Sequence, residues 1–267
     1  MRLLTFSFLK TCKYKKLCIG LPRRICSVTE TEARIALRDP SLVEVNPSWE
    51  PNDEPALRSA VVRDMQVYPD FITEHEENTL LLELEPVLRR MRYEFDHWDN
   101  AIQGFRETER TQWSAENSLV LSRVRAQAAG AGAGAFLPHV HVLDLAAAGH
   151  IRPHVDAVRF CGDVIAGLCL ASSAVMQLVH CTHKHMEVNA LLARRGLYIM
   201  KGVARYSFTH AVLGGAESVW RGEALPRRRR VALIVRTPPH APPPGAPALD
   251  APPPDQHTQT SPDKQIK

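Results

Sequence analysis

Two histidines, one aspartate and two arginines in the second half of the chain have the residue types and spacing of a metal-centred oxidation site. His154 and Asp156 stand two apart within GHIRPHVD. On extended backbone, side chains at i and i+2 share a face, so an imidazole and a carboxylate can converge there on one point. Alone the pair is a weak signal, because His-x-Asp arises by chance and a surface turn after Pro153 would read the same. His210 follows within ARYSFTH. Two imidazoles and one carboxylate are the donor set of the facial triad of non-haem Fe(II) oxygenases, which leaves coordination positions open for cosubstrate and oxygen. Arg230 and Arg236 bracket the apolar run VALIV. Their even separation sends both guanidinium groups to one side of a strand, and such forks suit carboxylate recognition. Arg227, Arg228 and Arg229 read as a solvated charge run.

These residues need rigid elements to hold them. Residues 62–68 (VRDMQVY) read as a short strand. Thr73 and Glu76 form a capping box, and Leu80, Leu81, Leu84, Leu88 and Met91 then recur at helical spacing, with Pro86 expected to kink the helix. A second amphipathic stretch follows Ser114 and ends at the Gly/Ala loop 128–135. Beyond it the period changes. Residues 139–145, 164–170, 175–180, 197–201 and 230–236 read as short strands rich in Val, Ile and Leu. Helices first and strands afterwards predict an α+β domain whose antiparallel strands form a jelly roll or similar barrel.

The ends differ from this body. Residues 1–29 hold seven Lys/Arg and no acid, interleaved with Leu, Phe and Ile, as a mitochondrial presequence requires. Residues 1–27 are assigned to it, 28–59 to a variable segment, 60–237 to the domain and 238–267 to a Pro-rich tail that cannot bury enough apolar area to fold. The formal net charge of +4 therefore misleads: outside residues 1–29 there are 26 basic and 29 acidic groups. A net negative body is a poor general binder of nucleic acid. No apolar run is long enough to span a bilayer. Of six cysteines, Cys12, Cys18 and Cys26 fall in the presequence, and Cys161, Cys169 and Cys181 are too few and isolated for a disulfide framework, which suits the reducing matrix.

The order His-x-Asp, distal His, Arg-x5-Arg resembles the AlkB-type Fe(II)/2-oxoglutarate dioxygenases. The stretches YEFDHWDNAIQGFRETERTQW, HVLDL, IRPHVDAVRFCGDVIAGL, VMQLVH, GLYIMKGVARYSFTH and RRRRVALIVR, spanning roughly residues 60–236, are similar to a mitochondrial branch of that family. The resemblance implies a double-stranded β-helix, Fe(II) on His154, Asp156 and His210, and 2-oxoglutarate as cosubstrate with O2. It assigns Arg230 and Arg236 to the cosubstrate carboxylates and Tyr198 to a hydroxyl contact with it. It also implies links to alkylation-induced programmed necrosis and fatty-acid metabolism.

Departures narrow the substrate. Nucleic-acid-repairing members carry Asn and Tyr eleven and nine residues before the first iron histidine, where this chain has Leu143 and Leu145. They also insert a lid ahead of the first core strand. Here that span reads as a helix followed by AAGAGAGAF, without stacking or basic elements, so gripping a flipped base is hard to explain. The expectation is a monomeric protein hydroxylase of the matrix, without duplex DNA repair. Demethylation of structured RNA is the alternative, with Arg221, Arg227, Arg228 and Arg229 on its phosphates, and a non-catalytic 2-oxoglutarate sensor is a third reading. The run His180–His185 is read as a solvated loop rather than a zinc site. Trp98, Phe105 and Trp113 are read as one face of a helix, Asp96 and His97 as structural or cleft residues, and His139 and His141 as partly buried polar groups.

Overall fold

The computed structural model describes residues 36–95, 101–132 and 134–240. Before the barrel proper come β1 (Val43–Val45), α1 (Pro55–Asp64), β2 (Met65–Tyr68), α2 (Glu74–Leu88), β3 (Ile102–Arg110) and α3 (Ala115–Gly130). The strand-rich half follows as β4 (Val140–His154), β5 (Ile165–Leu170), β6 (Ala174–His180), β7 (Glu187–Leu192), β8 (Leu197–Met200), α4 (Gly202–Tyr206), β9 (Phe208–Val212), the small hairpin β10 (Val219–Trp220) and β11 (Glu223–Ala224), and β12 (Arg230–Arg236).

The antiparallel strands run in the order β1-β7-β6-β9-β4-β12-β5-β8-β2, with β3 added to β4. The end strands β1 and β2 approach each other, so the sheet curls into the nearly closed barrel of a jelly roll. β4 is long enough to serve both halves: residues 141–145 pair with β12, while Ile151 and His154 pair with β9 after a shift in register.

The continuous apolar run of β12 reflects burial on both faces. Ala232 and Ile234 join the barrel interior with Leu143, Leu145, Met176 and Tyr198. Val231, Leu233 and Val235 join the outer cluster with Leu80, Leu84 and Leu88 of α2 and Val120, Leu121 and Val124 of α3. The three α2 leucines are fully buried, contributing about 1.5–3 kcal/mol each. That α2 starts at Thr73 follows from its capping box, in which Thr73 Oγ1 accepts from Glu76 N and Glu76 accepts from Thr73 N at 2.8 Å. Pro86 falls in the last turn, two residues before α2 stops.

The sequence reading is corrected at several places. The strand expected over 62–68 begins only at Met65, because residues 62–64 complete α1. β1, β3, β7 and β9 are additions to the sequence reading, although β7 does alternate, with Val188, Ala190 and Leu192 buried. β3 in particular is charged from Arg106 to Arg110, and its charges are consumed locally: Arg106 pairs with Asp144 at 2.7 Å, and Arg110 with Glu83 at 3.0 Å. Phe105 is therefore buried on a strand, not on a helix face, and Trp113 stacks under Arg110 beyond that strand. Trp98, Asp96 and His97 lie outside the described residues. The span ahead of β4 is thus strand, helix and loop.

Candidate metal centre

His154 ends β4 and faces His210 of β9 across the ladder, and β9 is itself held by β6 on its other side. Asp156 follows just beyond the strand. The two rings lie 4.3 Å apart, and one donor atom from each of the three side chains lies within 4.8 Å of the others. Among the described residues no other trio of His, Cys, Asp or Glu converges this way.

Hydrogen bonding decides which atoms are available. His154 Nδ1 lies 2.9 Å from the Arg152 carbonyl. A carbonyl only accepts, so Nδ1 carries the proton and the neutral ring leaves Nε2 bare. That bare nitrogen sits 3.1 Å from Asp156 Oδ1, and His210 Nε2 lies 3.6 Å from the same oxygen. Burial would raise the Asp156 carboxyl, but the adjoining His154 and the Arg236 guanidinium overcome it and hold the group far below its usual range. Burial pushes His210 down to about 3, with His154 adding to it, so that imidazole is neutral at physiological pH. An ionised carboxylate facing His154 Nε2, with the neutral His210 imidazole beside it, suits a cation between them, because imidazole with carboxylate is a metal-binding donor set. The carbonyl behind His154 is the kind of partner that orients metal-ligating histidines. The residues present fit a divalent metal.

Beside this trio lies a narrow pocket walled by Tyr198, Arg230, Arg236 and Leu143 as well as by His154, Asp156 and His210. Arg236 Nε donates to Asp156 Oδ2 at 3.2 Å, and its Nη1 donates to His141 Nδ1 at 3.0 Å. Arg230 is 2% exposed, and among the described residues its one hydrogen-bond partner is Cys169 Sγ, 3.4 Å from Nη2, with none for Nε. A buried guanidinium without a carboxylate costs several kcal/mol, and an anionic ligand would offset it. Burial raises the Tyr198 phenol to about 12, so it keeps its proton and can donate it in a hydrogen bond. Leu143 walls the pocket, whereas Leu145 is buried opposite Arg230 in the β4–β12 ladder.

Over 207 residues, 78% of this chain and 92% of the relative, the sequence is 46% identical to the Mus musculus protein named alpha-ketoglutarate-dependent dioxygenase alkB homolog 7, mitochondrial. Over 199 residues, 74% of this chain and 90% of the relative, it is 46% identical to the Bos taurus protein of the same name. The chain belongs to the AlkB homolog 7 family. It is an alpha-ketoglutarate-dependent dioxygenase, and the cofactors of AlkB homolog 7 proteins are Fe(II) and 2-oxoglutarate. Among solved structures, OsALKBH1 superposes with a TM-score of 0.49 at 13% identity, covering 65% of this chain and 96% of that one. No family model matches the chain.

Two groups on this AlkB homolog 7 scaffold were not anticipated as site components. His141 spans the gap between Arg236 and Glu107, with Nε2 at 2.7 Å from Glu107 Oε2. The alternation of His139 and His141 was visible, but the partner strand β3 was not. Cys161 is buried 4.0 Å from Asp156 Oδ2 and accepts from Arg205 Nη2 at 3.2 Å. Nothing in the spacing of either residue signals that contact.

Of the basic patch considered for RNA, Arg221 and Arg228 are exposed, whereas Arg227 and Arg229 are half-buried and engaged by the fold. Arg229 is bound by Asp144 at 2.8 Å and by Glu85, and Arg227 donates to the Gly149 carbonyl at 3.1 Å. The charge run 227–229 is thus not simply solvated. The loop 180–185 does not gather its histidines on a metal: His180 Nδ1 accepts from His183 N at 3.1 Å, while His185 pairs with Asp53 at 2.7 Å.

Proposed function

We propose that this dioxygenase hydroxylates a protein side chain in the mitochondrial matrix, with iron held by His154, Asp156 and His210. The observation that carries the reading is the convergence of those three donors, two of which, His154 and Asp156, line a cleft of about 610 Å³. Glu107, Glu109, Arg159 and Phe160 are among the residues that line the cleft. A lining of mixed charge that includes Phe160 suits a peptide better than a phosphate backbone, and two arginines counted for RNA are engaged by the fold. The acid-free basic stretch 1–29 and the relatives' mitochondrial names support the compartment.

Each residue then has a role. The Arg152 carbonyl fixes the proton of His154 on Nδ1 and aims Nε2 at the metal. Asp156 supplies the one negative charge, shared with Arg236. Arg230 and Arg236 take the carboxylates of 2-oxoglutarate, and the buried Tyr198 donates to it. Leu143 keeps that pocket wall apolar. Iron and 2-oxoglutarate together supply oxygen activation coupled to oxidation of the cosubstrate to succinate and CO2.

The test incubates the protein, its Fe(II) and 2-oxoglutarate with a mitochondrial matrix extract under labelled oxygen gas. Label in protein with the wild type, absent with His154→Ala/Asp156→Ala, is the expected result. Loss of methyl groups from RNA with no label in protein would overturn it.

A further inference from the structure

Arg236 is a long, rotatable side chain beside an ionised carboxylate, and left alone its guanidinium would close on Asp156 in a two-pronged pair. It does not. Only Nε meets Asp156 Oδ2, at 3.2 Å, while Nη1 is drawn away to His141 Nδ1 at 3.0 Å. A guanidinium only donates, so Nδ1 must accept and the ring proton must be on Nε2. Glu107 Oε2, 2.7 Å from Nε2, is the acceptor that proton needs. Three strands are joined by this chain of contacts: Glu107 on β3, His141 on β4 and Arg236 on β12, with His141 directly opposite Ile234 and Glu109 in its two ladders. The His141 side chain is 14% exposed and borders both the narrow pocket and the outer cleft.

We infer that His141 is a positioning residue for 2-oxoglutarate: by accepting from Arg236 it turns the guanidinium away from the metal-side carboxylate and presents it to the cosubstrate, while Glu107 fixes the tautomer that can accept. The inference rests on Arg236 contacting 2-oxoglutarate. It predicts that the acceptor at the Nδ1 position matters and the ring itself does not.

Two polar substitutions separate these. In His141→Asn a carbonyl oxygen can take the place of Nδ1. In His141→Gln the polar end lies further out, within reach of Glu107 but past Arg236. The measurement is calorimetric titration of 2-oxoglutarate into Mn(II)-loaded protein, with Mn(II) affinity and succinate formation measured alongside. Binding about tenfold weaker in His141→Gln, within about threefold of wild type in His141→Asn, and unchanged Mn(II) affinity in both are expected, a tenfold change being what one charge-assisted hydrogen bond supplies. Equal affinity in the two variants, or Mn(II) affinity falling in step with that for 2-oxoglutarate, overturns the inference. Arg236→Gln is the control: wild-type affinity there overturns the assignment of the pocket itself, which is a different failure from that of His141.

Discussion

Gly167 and Tyr198 are cross-strand partners in the β5–β8 ladder, and a Cβ on Gly167 would come within 2.3 Å of Tyr198 Cε1 and 2.6 Å of its hydroxyl oxygen. The phenol lies across bare backbone, which is how so large a side chain fits inside the barrel and still reaches the pocket beside His154, Asp156 and His210. Gly167→Ala should push the ring out of place. Overpacking of this kind costs about 1–3 kcal/mol, so the urea midpoint should fall and 2-oxoglutarate should bind more weakly. A variant with unchanged midpoint and affinity would show that Tyr198 can move aside freely.

Arg230 gives a prediction of opposite sign for stability and for binding. Its buried guanidinium has no carboxylate partner among the described residues, and replacing such a charge by an apolar chain of similar length is often stabilising. Arg230→Met should raise the melting temperature of the ligand-free protein. Added 2-oxoglutarate should then fail to raise it further, whereas in the wild type a hundredfold excess over Kd adds about 2.7 kcal/mol. A variant destabilised without ligand would mean that Arg230 is already compensated.

His210 makes the metal-free fold sensitive to acid. Its imidazole is pushed from 6.5 to about 3 by burial, so between those values the unfolded chain binds a proton that the folded chain refuses. Stability from this group is complete above pH 6.5 and is lost as pH falls toward about 3, by at most about 1.4 kcal/mol per pH unit. Asp156, held below its usual range, acts in the same direction below pH 3.8. Chemical denaturation of chelator-treated protein at a series of pH values should show the slope, and His210→Leu should flatten it between pH 6 and 4. Identical slopes in the two proteins would remove His210 as the cause.

Asp144 is the anchor on which three segments meet. It is fully buried, with Arg106 Nε at 2.7 Å, Arg229 Nη2 at 2.8 Å and the Tyr93 hydroxyl at 3.2 Å. Asp144→Ala would leave Arg106 without a carboxylate and Arg229 with Glu85 alone, and a loss of about 3–5 kcal/mol is expected in denaturant unfolding. Because the group is buried, added salt should change that loss little.

Much of the site was legible in the one-dimensional pattern because its rules are local. His154 and Asp156 two apart, and Arg230 and Arg236 six apart on a strand, share a face wherever the backbone is extended, and the apolar run between the arginines already required a strand covered on both sides. The capping box at Thr73 and the leucine spacing of α2 are equally short-range. What tertiary structure alone decided depends on pairing across long stretches of chain. The bond between His141 and Glu107, the clamp of His141 on Arg236, the bed of Gly167 under Tyr198 and the capture of Arg229 by Asp144 all join residues 31 or more positions apart. β3 escaped notice because its charges look like solvated surface until β4 and α2 supply their partners. Residue types and local period settle which atoms a site has, and only the register between distant strands settles which of them face one another.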